Sequence, residues 1–363
     1  CPHSTLIRSL GARVRGCQAE REELRRRLVR LPQASKGIAL AGAAALMAAA
    51  LAGPTVAQEP IDPENKEFTL AFGGPGLSTV ALLSTAKQLN DAGWNISTPE
   101  LTAGELQLQG VVSGEFQMSS GSGPGVLLAA QAGAPVKIVS NRIKNEWTLY
   151  STSDIEECSQ LDGKRLAIHS EGSPATFMTR NWIENTCPGI SPEYIILPGS
   201  ENRFAALLAG EIDASPIELS DAIALEAEGG DRFKRQASFA EELPDLTPTP
   251  VYANTDWAAA NPDTLSAFLA ALIAQQRAFN EDPEYFKQTV IETLEGVNED
   301  TIDEVIAAYV DLEMYDPTGG LTEGQQQYTI DFVTEAGGIE PGLTPDQAYD
   351  RSYLDAALAS LDG

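Results

Sequence analysis

Gly114-Glu115-Phe116-Gln117-Met118-Ser119 and Gly210-Glu211-Ile212-Asp213-Ala214-Ser215 repeat one pattern within a single chain. Each follows an apolar helical stretch, 106–112 in the first case and 204–208 in the second. A glycine at a helix C-terminus supplies the left-handed residue that turns the chain out of the helix. The residues after it read as a short strand that ends on a serine. In open α/β sheets the carboxyl ends of strands are where ligands sit. Helix, glycine and strand also form a common α/β joint. The repeat therefore leaves two readings open: a shared joint, or two equivalent halves that face each other across a cleft.

The same alternation extends outward from both copies. A strand over 68–72 runs into Gly73-Gly74-Pro75-Gly76, and Ser78 is placed to cap a helix carrying Ala81, Leu82, Ala86 and Leu89. A strand near 95–101, a helix over 103–112 and a strand over 116–119 follow. Gly121-Ser122-Gly123-Pro124-Gly125 opens the next helix, and 136–143 reads as a strand. A second series begins near Ile155, with strands at 165–168, 194–197 and 212–215 and a helix capped by Ser173. Pro248-Thr249-Pro250 marks a crossing, and 251–254 reads as a strand returning to the first sheet. From Pro262 onward the pattern is amphipathic helix, as in Leu265, Phe268, Leu269, Leu272 and Ile273. Alternating strands and helices predict α/β architecture with mainly parallel sheets.

At 363 residues the chain exceeds one ordinary core and suits two lobes. Basic residues number 24 against 52 acidic ones, a net charge of -28. So acidic a surface argues against nucleic acid and against docking on anionic lipid. The charge is uneven: residues 1–57 hold nine basic and three acidic residues, which leaves 15 and 49 for the remainder. Arg25-Arg26-Arg27, Arg30 and Lys36 precede an alanine-rich apolar run over 38–52, then Gly53-Pro54 and Thr55-Val56-Ala57. This is a secretory signal peptide pattern, with cleavage expected after Ala57 and a periplasmic location. The apolar run is shorter than the ~20 residues that span a bilayer, which disfavours an uncleaved anchor. Cys158 and Cys187 are then the cysteines of the mature chain, and an even pair in an oxidising space predicts a disulfide. Two buried thiols are the alternative.

Leu161-Asp162-Gly163-Lys164-Arg165-Leu166-Ala167-Ile168, followed by Gly172-Ser173-Pro174, resembles the start of the second lobe in ABC-importer substrate-binding proteins. The group in question serves aliphatic sulfonates, taurine, nitrate and the pyrimidine precursor of thiamine. Ala206-Leu207-Leu208-Ala209-Gly210-Glu211-Ile212-Asp213-Ala214 resembles another segment of that family, and Asn254-Thr255-Asp256-Trp257 with Asn261-Pro262 resembles its returning strand and helix. The resemblance implies a two-lobe type II periplasmic-binding fold, with a ligand cleft between lobes joined by two crossing strands. It implies a first lobe of 66–147 plus 251–363 and a second of 148–250, behind the 1–57 leader.

The candidate ligand residues follow from these positions. Gly172, Ser173 and Thr176 lie between a strand and a helix N-terminus, where N–H groups and the helix dipole favour an anion. Plain capping by Ser173, with Pro174 in the first turn, explains the same residues. Ser119, Ser120, Gly121 and Ser122 form the matching loop of the first lobe, or a flexible turn. The two loops are expected to face each other and clamp one ligand. Gly73 and Gly74 permit close backbone approach or make a turn. His169 ends its strand at the cleft edge, as a ligand contact or a structural hydrogen-bonder. Trp147 is placed to stack on a ligand or to pack as core. Glu218 is a solvated acid or a ligand contact, since pyrimidine-binding relatives place a carboxylate near there.

These readings imply an exported, monomeric receptor that takes a small molecule to an ABC permease, without cofactor or metal. The first-choice ligand is a small organic anion such as a sulfonate; the second is a pyrimidine-like or amine ligand. An enzyme is the competing class. The sequence holds no Gly-x-Ser-x-Gly elbow, Walker loop, His-Glu-x-x-His or paired zinc cysteines. Fungal pyrimidine-synthesis enzymes share the implied fold but use a cysteine-rich motif, which Cys158 and Cys187 do not make.

Overall fold

The computed structural model describes residues 61–298 and 301–362. The expected signal peptide lies outside the described residues. In chain order the strands are β1 (Glu67–Ala71), β2 (Asn95–Ser97), β3 (Met118–Ser120), β4 (Val136–Asn141), β5 (Thr148–Thr152), β6 (Arg165–Ile168), β7 (Glu193–Ile196), β8 (Ala214–Ile217), β9 (Phe233–Ser238) and β10 (Pro250–Asn254). They form two five-stranded sheets, ordered β2-β1-β3-β10-β4 and β7-β6-β8-β5-β9. In each sheet the second-listed strand pairs in parallel with both its neighbours. The fourth strand, β10 or β5, runs antiparallel to both of its own. The chain leaves the first sheet after Asn141, enters the second at Thr148 and returns at Pro250. These are two α/β lobes joined by two crossings.

The sequence repeat marks equivalent places in the two sheets. Gly114 and Gly210 end the helices Gly104–Ser113 and Ala209-terminated Ser200–Ala209 at φ 79° and 73°. β3 and β8 start at matching residues, Met118 and Ala214. Each lies between a parallel and an antiparallel partner. Ser119 stands opposite Tyr252 and Ser215 opposite Tyr150. The repeat is therefore more than a shared joint.

Several sequence expectations are corrected. Both repeat strands begin two residues later than their patterns suggest, at 118 and 214. Ser78 does not cap a helix: Thr79 occupies that position before Val80–Asp91. Thr79 Oγ1 instead accepts from the Gly76 N–H at 2.9 Å and donates to the Gly74 carbonyl at 3.0 Å, which ties the glycine turn to the helix. β2 ends at Ser97, and the second series opens with β5 rather than near Ile155.

Helices Val80–Asp91 and Pro262–Glu281 bury Phe68, Leu70, Leu82, Phe268 and Leu269 against the first sheet. Phe279 and Phe286 stack with ring centroids 4.4 Å apart, and each fully buried ring contributes roughly 1.5–3 kcal/mol. The stretch after Gly320 carries no motif, yet Leu321, Ile330 and Val333 share one core with Ile138 and Tyr252 of the first sheet and with Trp147, Leu149 and Met178 beyond the first crossing. Its role is to pack across the junction. Cys158 and Cys187 form the disulfide, with Cα atoms 5.9 Å apart, and bracket β6 and the helix Pro174–Thr186.

Candidate functional site

A cleft of about 1530 Å³ opens between the two sheets. Its wall takes Gly73, Gly74, Ser120, Gly121, Trp147, His169, Gly172, Ser173 and Glu218 from the sequence-predicted set. Ser119 and Thr176 are fully buried and lie behind the wall. Ser119 Oγ donates to Gln107 Oε1 at 3.1 Å, and Thr176 Oγ1 donates to the Ser170 carbonyl at 2.8 Å. Both hydroxyls brace loops.

The two loops meet directly. Ser122 Oγ donates to the Gly172 carbonyl at 2.7 Å, and Ser170 Oγ to Glu105 Oε1 at 3.2 Å. A Cβ on Gly172 would stand 3.1 Å from Glu105 Oε1. The helix N-terminus beside this loop is largely satisfied from within. Ser173 Oγ accepts from the Thr176 N–H at 3.3 Å and pairs with Thr176 Oγ1 at 2.8 Å, while Pro174 has no N–H to offer. A carboxylate from the opposite lobe thus already faces the loop that sequence assigns to an anion.

His169 Nδ1 accepts from the Gly199 N–H at 3.2 Å, which leaves the ring proton on Nε2. Burial first, then Arg203, holds its pKa below the ordinary histidine value. Trp147 is buried and also reaches the cleft. The Arg203 guanidinium lies 5.7 Å from its ring centroid. Arg203 is itself fully buried, bonded to the carbonyls of Pro216, Leu197 and Gly199, and burial lowers its pKa to about 10.

Of the charges near the base of the cleft, sequence reasoning found Glu218 and missed Arg142, Glu146 and Asp221. Arg142, on the first crossing, lines the cleft and is 7% exposed, and its Nε is buried without a partner. The crossing is fixed by the Lys144 N–H on the Met314 carbonyl at 2.9 Å and by Asn145 Nδ2 on the Phe239 carbonyl at 3.0 Å. Glu146, on the same segment, accepts the Tyr309 hydroxyl at 2.6 Å. Burial raises the Glu146 pKa to about 7, helped by the Asp221 charge and opposed by the Tyr309 bond and Arg142. Glu218 sits at the start of the helix Leu219–Gly229, with its N–H on Ser200 Oγ at 2.8 Å. Burial, then the Glu146 and Asp221 charges, push its carboxyl well above the usual range; Arg142 and Arg203 oppose them. Asp221 is raised by burial as well, against a bond from Ser200. The visible signal was Arg142-Ile143-Lys144-Asn145-Glu146, a run rich in polar groups directly after an apolar strand.

Seven carboxylates line the cleft, from Glu100, Glu105, Glu201, Glu218, Asp221, Glu228 and Glu295, against Arg142 and His169. Among the described residues no cluster of histidine, cysteine and carboxylate groups is arranged to hold a metal ion. No described helix is long and apolar enough to cross a membrane.

Two lobes, two crossings and a cleft between the sheets define the type II periplasmic-binding fold. Solved structures share it. The alkanesulfonate-binding protein SsuA from Xanthomonas axonopodis pv. citri, bound to MOPS, aligns with a TM-score of 0.62 at 20% identity, covering 80% of this chain and 100% of its own. The nitrate-binding protein NrtA from Synechocystis PCC 6803 aligns at 0.63 and 13%, covering 83% and 90%. The desulfurization enzyme DszB aligns at 0.57 and 13%, covering 80% and 99%. No curated protein matches the sequence. The NMT1/THI5-like family profile matches residues 90–285, more than half of the chain, and the chain belongs to that family.

Proposed function

We propose that the chain is an exported solute-binding receptor of an ABC importer, which captures a small molecule in the cleft and presents it to a permease. The observation that carries this is the cleft itself, set between two equivalent sheets whose crossings can act as a hinge. The lobes proposed to move are 66–147 with 251–363, and 148–250. Binding rather than catalysis is supported by the state of the reactive groups. Cys158 and Cys187 are bonded to each other, the Ser173 hydroxyl is paired with Thr176, and His169 Nδ1 is taken by Gly199. None of these forms a nucleophile with a free base beside it.

A small organic anion such as a sulfonate draws support from the Arg142 guanidinium on the cleft wall. A pyrimidine-like or amine ligand draws support from Glu218 and Trp147 on the same wall. A thermal-shift screen of the full chain with sulfonates, nitrate, pyrimidines and amines tests the receptor, since a ligand of the folded state raises the melting temperature by mass action. At least one class is expected to do so, and Gly172→Val, which presses a branched side chain toward Glu105, is expected to weaken its binding. Absence of any binder counts against the receptor.

A further inference from the structure

Residues 169–178 of the second lobe are gripped by the first lobe at both ends. At the cleft mouth Ser122 Oγ donates to the Gly172 carbonyl at 2.7 Å, and Ser170 Oγ to Glu105 Oε1 at 3.2 Å. The His169 ring faces the Thr102 backbone beside them. Within the next turn the same segment enters the core that both lobes share. Ala175 and Met178 are fully buried there, in one cluster with Ile330, Val333 and Ile339 of the C-terminal stretch. Phe177 lies against the Gly338 backbone: a Cβ on that glycine would stand 2.8 Å from the Phe177 ring and 2.8 Å from Val333. The first crossing reaches the segment too, with Asn145 Nδ2 3.3 Å from Met178 Sδ. A hinge motion that opens the cleft must part these contacts or carry the C-terminal stretch with it.

We propose that residues 169–178 form a latch that keeps the cleft closed without help from a solute, so that solute enters and leaves only when the latch lets go. Every contact named above runs from protein to protein. The closure they enforce therefore asks nothing of whatever fills the cleft. The two ends of the latch act by different physics. At the mouth the groups are half-buried or exposed, and water replaces each partner when they separate. Each such bond biases the equilibrium between open and closed by roughly twofold to tenfold. Behind the mouth, separation would return buried apolar side chains to water, which adds a further bias toward closure. A closed resting state lowers the apparent affinity for any solute by the fraction of chains that are open. The latch goes beyond the receptor reading and does not depend on which solute the cleft takes.

Energy transfer between dyes on the two lobes tests it in the full chain with no solute added. Gln109 and Ala205 carry the dyes; both are exposed, on the helices Gly104–Ser113 and Ser200–Ala209. Attachment through two unnatural amino acids leaves the Cys158–Cys187 bridge intact. Wild type is expected to show one dominant high-transfer population. Ser122→Ala combined with Ser170→Ala removes both donors at the mouth without changing charge, and should raise the low-transfer population roughly tenfold. Ser122 Oγ also accepts the Gly125 N–H at 3.2 Å, so Ser170→Ala alone, expected to give roughly threefold, separates the latch from the loss of a helix cap. Gly338→Ala drives a methyl group against Phe177 and Val333 and should also raise the low-transfer population, by at least as much as the serine pair. A cooperative melting transition in each variant shows that the lobes remain folded. Where Gly338→Ala does not fold, the serine variants still decide. A wild type that is mainly low-transfer, or wild-type populations in any folded variant, overturns the latch. Neither outcome touches the receptor reading, which the solute screen tests separately.

Discussion

The strand order β2-β1-β3-β10-β4 of one lobe becomes β7-β6-β8-β5-β9 in the other, position for position. Gly114 answers to Gly210, Ser119 to Ser215 and Tyr252 to Tyr150. Interior packing follows the same plan with different pieces. Phe116 lies over Gly110 in the first lobe, whereas Ile212 and Ala206 fill the equivalent places in the second. A large ring over no side chain and a smaller group over a methyl occupy comparable volume. Chemistry does not follow the plan. At the cleft the first lobe offers glycines, Ser120 and Ser122, whose hydroxyls donate to the Pro250 and Gly172 carbonyls, and the carboxylates of Glu100 and Glu105. Glu218, Asp221 and the Arg203-backed Trp147 come from the second sheet's side, and Arg142 from the crossing, which also carries the buried Glu146. The frame is thus repeated between the lobes, while the groups it brings to the cleft are not.

The largest expected difference between the halves is covalent. The Cys158–Cys187 bridge spans a sequence separation of 29, and the first lobe's described residues hold no equivalent. Closing a loop of that length stabilises by about 3.5 kcal/mol in the chain-entropy model. Replacing both cysteines by alanine should lower the unfolding free energy by about that much in denaturant titration. A loss below about 1 kcal/mol would mean that the second lobe holds its unit of strand and helix without the staple.

Next comes the charge at the junction. With its folded-state pKa near 7, raised by burial, Glu146 binds a proton more tightly in the folded than in the unfolded chain. Stability is therefore unaffected by this group below the unfolded value of 4.5 and is lost as pH rises from there through about 7. The full loss is on the order of 3 kcal/mol. Glu146→Gln keeps an acceptor for the Tyr309 hydroxyl and cannot ionise. It should be more stable than wild type at pH 8, and the advantage should vanish by pH 4. A variant equally stable at both pH values removes Glu146 from the set of strained charges.

The packing comparison can be broken directly. A Cβ on Gly110 would stand 2.2 Å from the Phe116 ring, so Gly110→Ala should cost roughly 1–3 kcal/mol. Adding Phe116→Ile installs the second lobe's pair in the first and should recover most of that cost. Equal losses in the single and double variants would show that the two lobes solve this contact independently.

How much of this could be read from sequence depends on what each part leaves in the chain. The repeat, the Ser173 cap, β6 and β10 are local patterns, and all stand within two residues of where their residues place them. β5 and β9 were missed because Thr-Leu-Tyr-Ser-Thr and Phe-Lys-Arg-Gln-Ala-Ser show neither alternation nor an apolar run; their neighbours in the sheet hold them extended. The helix Leu219–Gly229 was masked by its mixed acidic and apolar composition. At the site, glycines and serines were legible because turns and caps demand them. Arg142 and Glu146 were not, because a charge's importance lies in its burial, and burial here arises from Tyr309 and the helices that return after Pro262.

The smallest effect tests the repeat at its origin. Gly114 and Gly210 both take left-handed φ values, 79° and 73°, and a Cβ at either would meet nothing within 4 Å. Packing is thereby removed from the comparison, and only the backbone strain of an L-residue in that region remains. This strain is about 1–2 kcal/mol. Gly114→Ala and Gly210→Ala should each destabilise by about 1 kcal/mol, equal to within about 0.5 kcal/mol. The two glycines lead into strands of different sheets, so the double variant should show the sum. Asparagine, which tolerates the left-handed region, should cost less than alanine at both positions. A loss at one glycine and none at the other would show that one of the two helices can end elsewhere, and that the two turns are alike in sequence but not in what they fix.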